Sequence, residues 1–404
     1  MNHRKIRISG VGCALVDFVY TQANFDSPEF SKYSSKEDGD GGLSPGKLVF
    51  IDELESFAKK SYNEILLEIN KGTYHKYNIG GPALVSLIHA SQLLPEDKFE
   101  VSFYGSAGTD NISDFIFDLL KHIPLNVAHY LKISDKPSPF THVISDSNFS
   151  SGEGERTFVN NIGAAWDFTP EMLTEDFFKS ELVCFGGTAL VPNIHDNLTY
   201  LLVKSKLNNS ITIVNTVFDF RSEKINPTKP WPIGDSKESL KLIDVLIMDC
   251  EEALKISGKD NLHEAAVYFK EAGVSSFFIT NGIKDVIIYS NGKLFNKYQI
   301  SYFPVSDKII NELKANPKLK GDTTGCGDNF VGGIITSIAN QYENTERGKF
   351  SIIDALTLGV VSGGFARFYI GGTFTETKKG EKKDKIKAYQ TTYLAQISND
   401  LICV

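Results

Sequence analysis

The sequence predicts an α/β protein of three layers, with a mostly parallel central sheet between helices and a small β-sheet lid. Three observations carry this expectation. Short apolar, β-branched runs alternate with helix-period segments along most of the chain, as in a parallel sheet covered on both faces. Residues 126–161 break the alternation with three strand-like runs and no helix between them. A Gly-rich turn near residue 325 opens directly into an apolar helical segment, which on such a sheet is a ready anion site.

The strand-like runs are 6–11, 101–104, 182–185, 212–217, 245–248, 276–280 and 286–289, many of them ending in Gly, Asn or Asp. Helical periodicity occupies 82–94, 112–122, 196–206, 251–257, 262–272, 328–340 and 352–368. Ligands of such sheets bind beyond the carboxyl ends of the strands. In the exceptional stretch, runs 127–133, 140–145 and 156–160 are joined by Ser, Asp, Gly and Asn, the composition of an antiparallel flap. Run 14–20 is a further strand able to pair with it. The expected organisation is one domain over 1–404, with lid strands near 14–21 and 126–161 and polar insertions near 24–46 and 305–320.

The formal net charge of −8 comes without a long Lys/Arg block. A nucleic-acid partner is therefore not expected. The basic run 378–387 is interleaved with Glu and Asp and reads as a solvated loop or helix face. The amino terminus is polar and then strand-like, and no run of about eighteen apolar residues occurs. A soluble, cytoplasmic protein without a membrane partner is expected. Cys13, Cys184, Cys250, Cys326 and Cys403 are scattered without Cys-x-x-Cys spacing, so neither a disulfide framework nor a zinc site is indicated.

The most informative segment is Gly-Asp-Thr-Thr-Gly-Cys-Gly-Asp, residues 321–328, followed by an apolar helical run. Gly325 and Gly327 permit a tight turn and close approach of a ligand. The turn delivers the backbone N–H groups of Gly325, Cys326 and Gly327 to the positive end of a helix. A carboxylate beside a bound phosphate is repulsive unless it serves another atom. Asp328 makes sense as the acceptor of a proton from an attacking hydroxyl while the N–H groups hold the phosphoryl group. The bland alternative is a Gly-rich turn with Asp as a helix cap. The helix dipole predicts a lowered carboxyl pKa at Asp328.

The whole segment resembles the signature of the PfkB family, the ribokinase-like carbohydrate and nucleoside kinases, whose pattern is Asp-Thr-x-Gly-Ala/Cys-Gly-Asp before a helix. The resemblance runs along most of the chain in the family's order: Asp17 near the end of the first strand, Gly80-Gly81 before the first long helix, Phe103 to Asp110, Arg156 to Ala164, Asp249 to Glu252, and Thr280-Asn281-Gly282. It implies a ribokinase-like sandwich and transfer of the γ-phosphoryl group of ATP, with Mg²⁺, to a hydroxyl of a sugar. By resemblance Asp328 is the catalytic base and Gly325, Cys326 and Gly327 are the anion hole. Asp17, Gly80, Gly81, Asn160 and Asn161 match substrate positions. Thr280, Gly282 and Thr323 match nucleotide positions. Glu252 and Asp249 match the element that organises Mg²⁺ and its waters. Asp322 and Thr324 match positions that bind a monovalent cation such as K⁺ in some members.

Three departures bear on the substrate. Val85 stands where the family has Asn, Asp249 replaces another Asn, and Asp285 replaces a glycine. A nucleoside is the alternative acceptor, because the flap aromatics Phe140, Phe149, Phe158 and Trp166 can stack a base; they equally suit a flap core. A non-catalytic ligand-binding protein is disfavoured because the base and the anion-hole glycines are both present. A dinucleotide-binding fold is disfavoured because Gly10-Val11-Gly12 lacks the third glycine and helix. An exposed two-sided flap favours a homodimer paired through the lid.

Overall fold

The computed structural model describes residues 4–37, 39–70, 74, 76–152, 155–321 and 323–402. Its strands are β1 (Ile6–Gly12), β2 (Leu15–Tyr20), β3 (Leu48–Phe50), β4 (Lys76–Gly80), β5 (Phe99–Ala107), β6 (Asn126–Lys132), β7 (Phe140–Asp146), β8 (Glu155–Asn161), β9 (Leu182–Gly186), β10 (Ile211–Asn215), β11 (Val245–Asp249), β12 (Ser276–Thr280), β13 (Val286–Ser290) and β14 (Tyr298–Phe303). The central sheet has nine strands in the order β14-β13-β12-β11-β10-β9-β1-β5-β6. Pairings from β6 to β12 are parallel and the last two are antiparallel. The predicted three-layer arrangement is what forms, because the strands are apolar on both faces. Along β12, Phe277 and Ile279 join one buried cluster while Phe278 joins the other, as period-2 alternation requires.

The helix Cys326–Tyr342 is buried from Asn329 through Ala339. Its paired glycines let neighbours close in. A Cβ on Gly332 would meet Ser86 O and His89 Cβ at 2.6 Å, and one on Gly333 would meet Leu358 O at 2.6 Å. Helices Pro82–Leu93 and Ile352–Phe365 therefore clamp it from either side.

The lid is a five-stranded sheet, β3-β8-β7-β2-β4. The expected flap divides differently from the sequence reading. Run 127–133 is not a lid strand: β6 pairs parallel with β5 at the edge of the central sheet, because helix Asn111–Leu120 makes it an ordinary β–α–β crossover. Two lid strands, β3 and β4, come instead from sequence that gave no strand signal. The lid hinges on Asp110, whose Oδ2 accepts from Ser138 N (2.7 Å) and whose Oδ1 accepts from Ser138 Oγ (2.6 Å).

The insertion near 24–46 is larger and more ordered than expected. It carries helix Pro28–Ser31, and the chain continues through helices Ile51–Ala58 and Tyr62–Ile69. Phe25, Phe30, Tyr33, Leu54 and Ile65 bury Ile144 and Val159 on one lid face. The insertion near 305–320 forms helix Asp307–Ala315 and a turn at Pro317–Leu319. The basic run 378–387 lies largely within helix Glu381–Ile402. It is not all solvated, since Lys382 is completely buried.

Candidate active site

The parallel strands end along one edge of the central sheet. Gly12 pairs with Gly186, Gly186 with Asn215, and Asp249 with Thr280. Where β1 and β9 meet, that edge is packed against Ala83, which a Cβ on Gly186 would meet at 2.7 Å. A Cβ on Gly12 would lie 2.3 Å from Gly186 O, so no side chain fits there.

The signature segment comes close to this edge, since Asp328 is near enough to Glu252 to raise its carboxyl and Phe330 packs on Phe278 of β12. Gly325 is the N-cap of helix Cys326–Tyr342 with φ of +71°, and a Cβ on it would stand 2.3 Å from Gly372 Cα. Only glycine takes that conformation without strain. Being a glycine, this cap brings no side-chain acceptor to the N–H groups of the first turn. Space lies open beside Gly327, where a Cβ would meet nothing within 4 Å. Asp328 is half-buried at this turn. Burial pushes its carboxyl up to about 6, opposite to the lowering expected from the dipole. Loss of hydration outweighs the helix terminus here, and the resulting value suits a base at neutral pH.

Asp249 and Glu252 form a reciprocal cap at the start of helix Cys250–Ser257. Glu252 N donates to Asp249 Oδ1 (2.8 Å) and Asp249 N donates to Glu252 Oε2 (3.0 Å). Thr216, just past β10, donates to the same Glu252 oxygen at 2.6 Å. Burial, and then the neighbouring Asp249, push the Glu252 carboxyl up to about 8, with a smaller contribution from Asp328. Among the described residues no lysine or arginine pairs with Asp249, Glu252 or Asp328, and no three metal-ligating side chains cluster. The site is thus rich in uncompensated carboxylate, which suits a cation, but its oxygens are partly spent on backbone. These residues would fit a divalent cation held indirectly rather than by three side-chain ligands.

Across the edge lies one face of the lid. Paired residues of neighbouring strands share a face. The registers Asp17↔Asn78, Asp17↔Thr141, Thr141↔Asn160 and Phe50↔Asn160 therefore place these side chains together, with Phe158 two residues from Asn160. Phe50 packs against Trp166 and Phe220 of the core, both with ring centroids 6.1 Å away, which identifies this face as the one turned to the cleft. Asn160 is buried, donates to Thr141 Oγ1 (2.9 Å), and has no donor to its Oδ1 among the described residues. Gly80 gives room to Asp17, since a Cβ there would lie 2.7 Å from Asp17 Oδ2. Gly81 has φ of +102° and lies against Cys13 O.

Several expectations separate at this point. Asn161 alternates away from Asn160 and donates to Ser138 O at 3.4 Å, so it braces the hinge. Phe140 and Phe149 lie on the covered face, Phe140 against Phe18 and His142 and Phe149 against Phe25, whereas Phe158 and the exposed Trp166 do not. Thr280 ends β12, and Gly282 follows with φ of +60° and open space beside it. Thr323 is exposed and Thr324 half-buried in the turn. Asp322 lies outside the described residues. Val85, where a polar contact is missing, packs 3.0 Å from where a Cβ on Gly372 would sit. Thr216, Asn78 and Phe50 carried no sequence signal; Asn78 ties the lid to the core by donating to Ile370 O at 2.9 Å.

A family model described as pfkB family carbohydrate kinase matches residues 46–379. The chain is 23% identical over 250 residues to the ribokinase of Staphylococcus aureus strain COL, covering 61% of this chain and 71% of that protein. It is 24% identical over 306 residues to the adenosine kinase of Schizosaccharomyces pombe, covering 71% and 82%. Among solved structures, the adenosine kinase of Schistosoma mansoni in complex with 2-fluoroadenosine superposes with a TM-score of 0.66 at 17% identity, over 91% of this chain and 97% of that one. A putative ribokinase II of E. coli in complex with ATP and Mg²⁺ superposes with a TM-score of 0.64 at 14% identity, over 96% and 99%.

Proposed function

This chain belongs to the pfkB family of carbohydrate kinases and is a phosphotransferase for a sugar or nucleoside; from that premise we propose that ATP is its phosphoryl donor and that Asp328 is its catalytic base. One observation carries the assignment of Asp328. Its recessed carboxyl, shifted up to about 6, adjoins open space at Gly327 on an uncapped helix terminus. The chain is read as a single kinase domain with its lid.

In this reading the acceptor hydroxyl is held by Asp17 and the unpaired Oδ1 of Asn160, with Gly80 and Gly81 making the room. Its oxygen attacks the γ-phosphorus. As that bond forms, the bond from phosphorus to the β-bridging oxygen breaks, ADP leaves, and the hydroxyl proton passes to Asp328. The N–H groups of Gly325, Cys326 and Gly327 stabilise the charge on the transferred group. Asp249 and Glu252 would hold Mg²⁺ and its waters, and the ion would neutralise charge on the nucleotide phosphates. Thr280, Gly282 and Thr323 line the nucleotide side. Asp322 and Thr324 are proposed for K⁺ on resemblance alone, and a K⁺ titration of turnover tests them. Closure of the lid over the edge excludes water.

A sugar is the first acceptor class. A nucleoside is the second reading, favoured by Phe50, Phe158 and Trp166 at the cleft, which offer flat apolar surface to a base. ATP consumption across ribose, fructose, inositol and nucleosides separates the two, with Asp328→Asn as the control. No acceptor-dependent turnover by the parent protein, or equal turnover by D328N, would sink the proposal. Among the described residues no helix is long and apolar enough to cross a membrane. The cytoplasmic setting is proposed from the sequence reading alone, and fractionation of cells tests it.

A further inference from the structure

Lys382 is buried with none of its surface exposed. Among the described residues no carboxylate lies within ion-pairing distance of its ammonium. Nζ donates instead to two neutral oxygens, Gln92 Oε1 at 3.0 Å and Asn329 Oδ1 at 3.1 Å. Burying an ammonium against neutral partners is unfavourable, and loss of hydration pushes Lys382 down to about 7. A group held in this way, against the residue that follows the proposed base, calls for a reason beyond packing.

Asn329 supplies it. Its Nδ2 donates to Gly325 O at 2.8 Å and to Gly372 O at 2.7 Å. Those two bonds fix the amide orientation, so Oδ1 faces only donors: Lys382 Nζ, Tyr369 OH at 3.1 Å and His89 Nδ1 at 2.6 Å. His89 must therefore carry its proton on Nδ1, and its Nε2 accepts from Ser362 Oγ at 2.8 Å. Burial, and then Lys382, hold His89 well below its ordinary pKa, so it stays neutral. Helices Pro82–Leu93 and Glu381–Ile402 and the 369–372 segment thus converge on one side-chain amide of helix Cys326–Tyr342, with Ser362 behind His89.

We propose that Lys382 is a positioning residue for phosphoryl transfer, acting through Asn329 to lock the Gly325 and Gly372 carbonyls and so to aim the anion-hole N–H groups and Asp328. The inference rests on the reading of Asp328 as base. Among the described residues no hydrogen bond or ion pair joins Lys382 to Asp328, and the lysine Nζ reaches Gln92 and Asn329 instead. It works by geometry: the Gly325 carbonyl and the following N–H belong to one peptide plane, so holding the first aims the second.

The test is steady-state kinetics with thermal melting on Lys382→Met, Asn329→Ala and the double variant. K382M keeps the stem and removes the donors. The expected result is a kcat lower by about 10- to 100-fold, a KM for ATP within about twofold of the parent, and a melting temperature that does not fall, since an unpaired buried charge is gone. The double variant is expected to be no slower than N329A, and K382R to recover part of the turnover. A K382M kcat within about twofold of the parent overturns the inference, as does a joint fall of kcat and melting temperature with additive effects in the double variant. If K382M does not fold, Tyr369→Phe removes one donor to the same oxygen, and an unchanged kcat there overturns it as well. Turnover retained by D328N would instead remove the reading on which the inference rests.

Discussion

Thr216 donates its hydroxyl to Oε2 of Glu252 across 2.6 Å, tying the end of β10 to the first turn of the helix after β11. The acceptor is a carboxyl that burial holds up to about 8. A raised carboxyl favours the folded state only while protonated. Its contribution is therefore present below the unfolded value of 4.5 and is lost as pH rises through about 8. Glu252→Gln keeps an oxygen for Thr216 and for Asp249 N. It is expected to raise the melting temperature of the unliganded protein at pH near 8 by an amount worth about 1–2 kcal/mol, and to raise the Mg²⁺ concentration for half-maximal turnover about tenfold. Scanning fluorimetry and a Mg²⁺ titration check both. A lower melting temperature with unchanged Mg²⁺ demand counts against the metal assignment.

Asp328 titrates near 6 for want of hydration, and a base must be ionised to work. The kcat/KM of the parent is expected to fall as pH drops through about 6. Asp328→Asn should lose about 10²- to 10⁴-fold in kcat while still binding ATP. Stability moves the other way. The raised carboxyl contributes below its ordinary 3.8 and loses that contribution as pH rises through 6, so D328N at pH 7 should melt no lower than the parent. A pH–rate profile and a melting curve decide.

Gly325 and Gly327 separate strain from space. Alanine at 325 must hold φ near +71° and push into Gly372 Cα at 2.3 Å, which costs about 1–3 kcal/mol and displaces the turn. Alanine at 327 meets nothing, so the fold should be unaffected while the methyl occupies the space assigned to the phosphoryl group. G325A is expected to lose both stability and turnover; G327A is expected to lose turnover alone. Equal melting temperatures for the two variants would contradict the assignment.

The sheet strands and the signature turn were legible because each is a local pattern: an apolar run of strand length, or glycines next to a helix. Glu252 and Asp249 drew notice through the resemblance and their place after β11; the structure shows them capping one helix, and their metal role stands as proposed. Four features were not legible. β3 and β4 lack strand periodicity and exist because lid neighbours pair with them. The upward shift at Asp328 depends on hydration lost to distant segments, which the helix dipole alone does not report. Lys382 sits in a run of surface-like charges and is buried by a helix the periodicity does not mark. Asn329 lies inside the signature, where its neighbour drew the attention, and its five partners come from residues 89 to 382.

The lid yields the last prediction. Pairing of lids in a homodimer presumes an apolar face open to a partner. That face is taken by the chain itself: Phe30 is 1% exposed, stacks on Phe25 at 4.5 Å between ring centroids, and belongs to the cluster that covers Ile144 and Val159. Among the described residues the strand edges at β3 and β4 and the exposed Leu67, Tyr74 and Tyr77 remain for pairing, so a homodimer through the lid has to form at those edges, and a monomer by light scattering at micromolar concentration would reject it. The same cover should set how well the lid is held. Phe30→Ala removes a fully buried ring, worth about 3–5 kcal/mol, from a cluster separate from the two that flank the central sheet. Asp17 and Asn160 ride on the lid, whereas Thr280 and Gly282 belong to the sheet edge. F30A is therefore expected to raise KM for the acceptor several-fold and leave KM for ATP nearly unchanged. A parallel rise in both constants would mean that lid and nucleotide edge are not energetically separable.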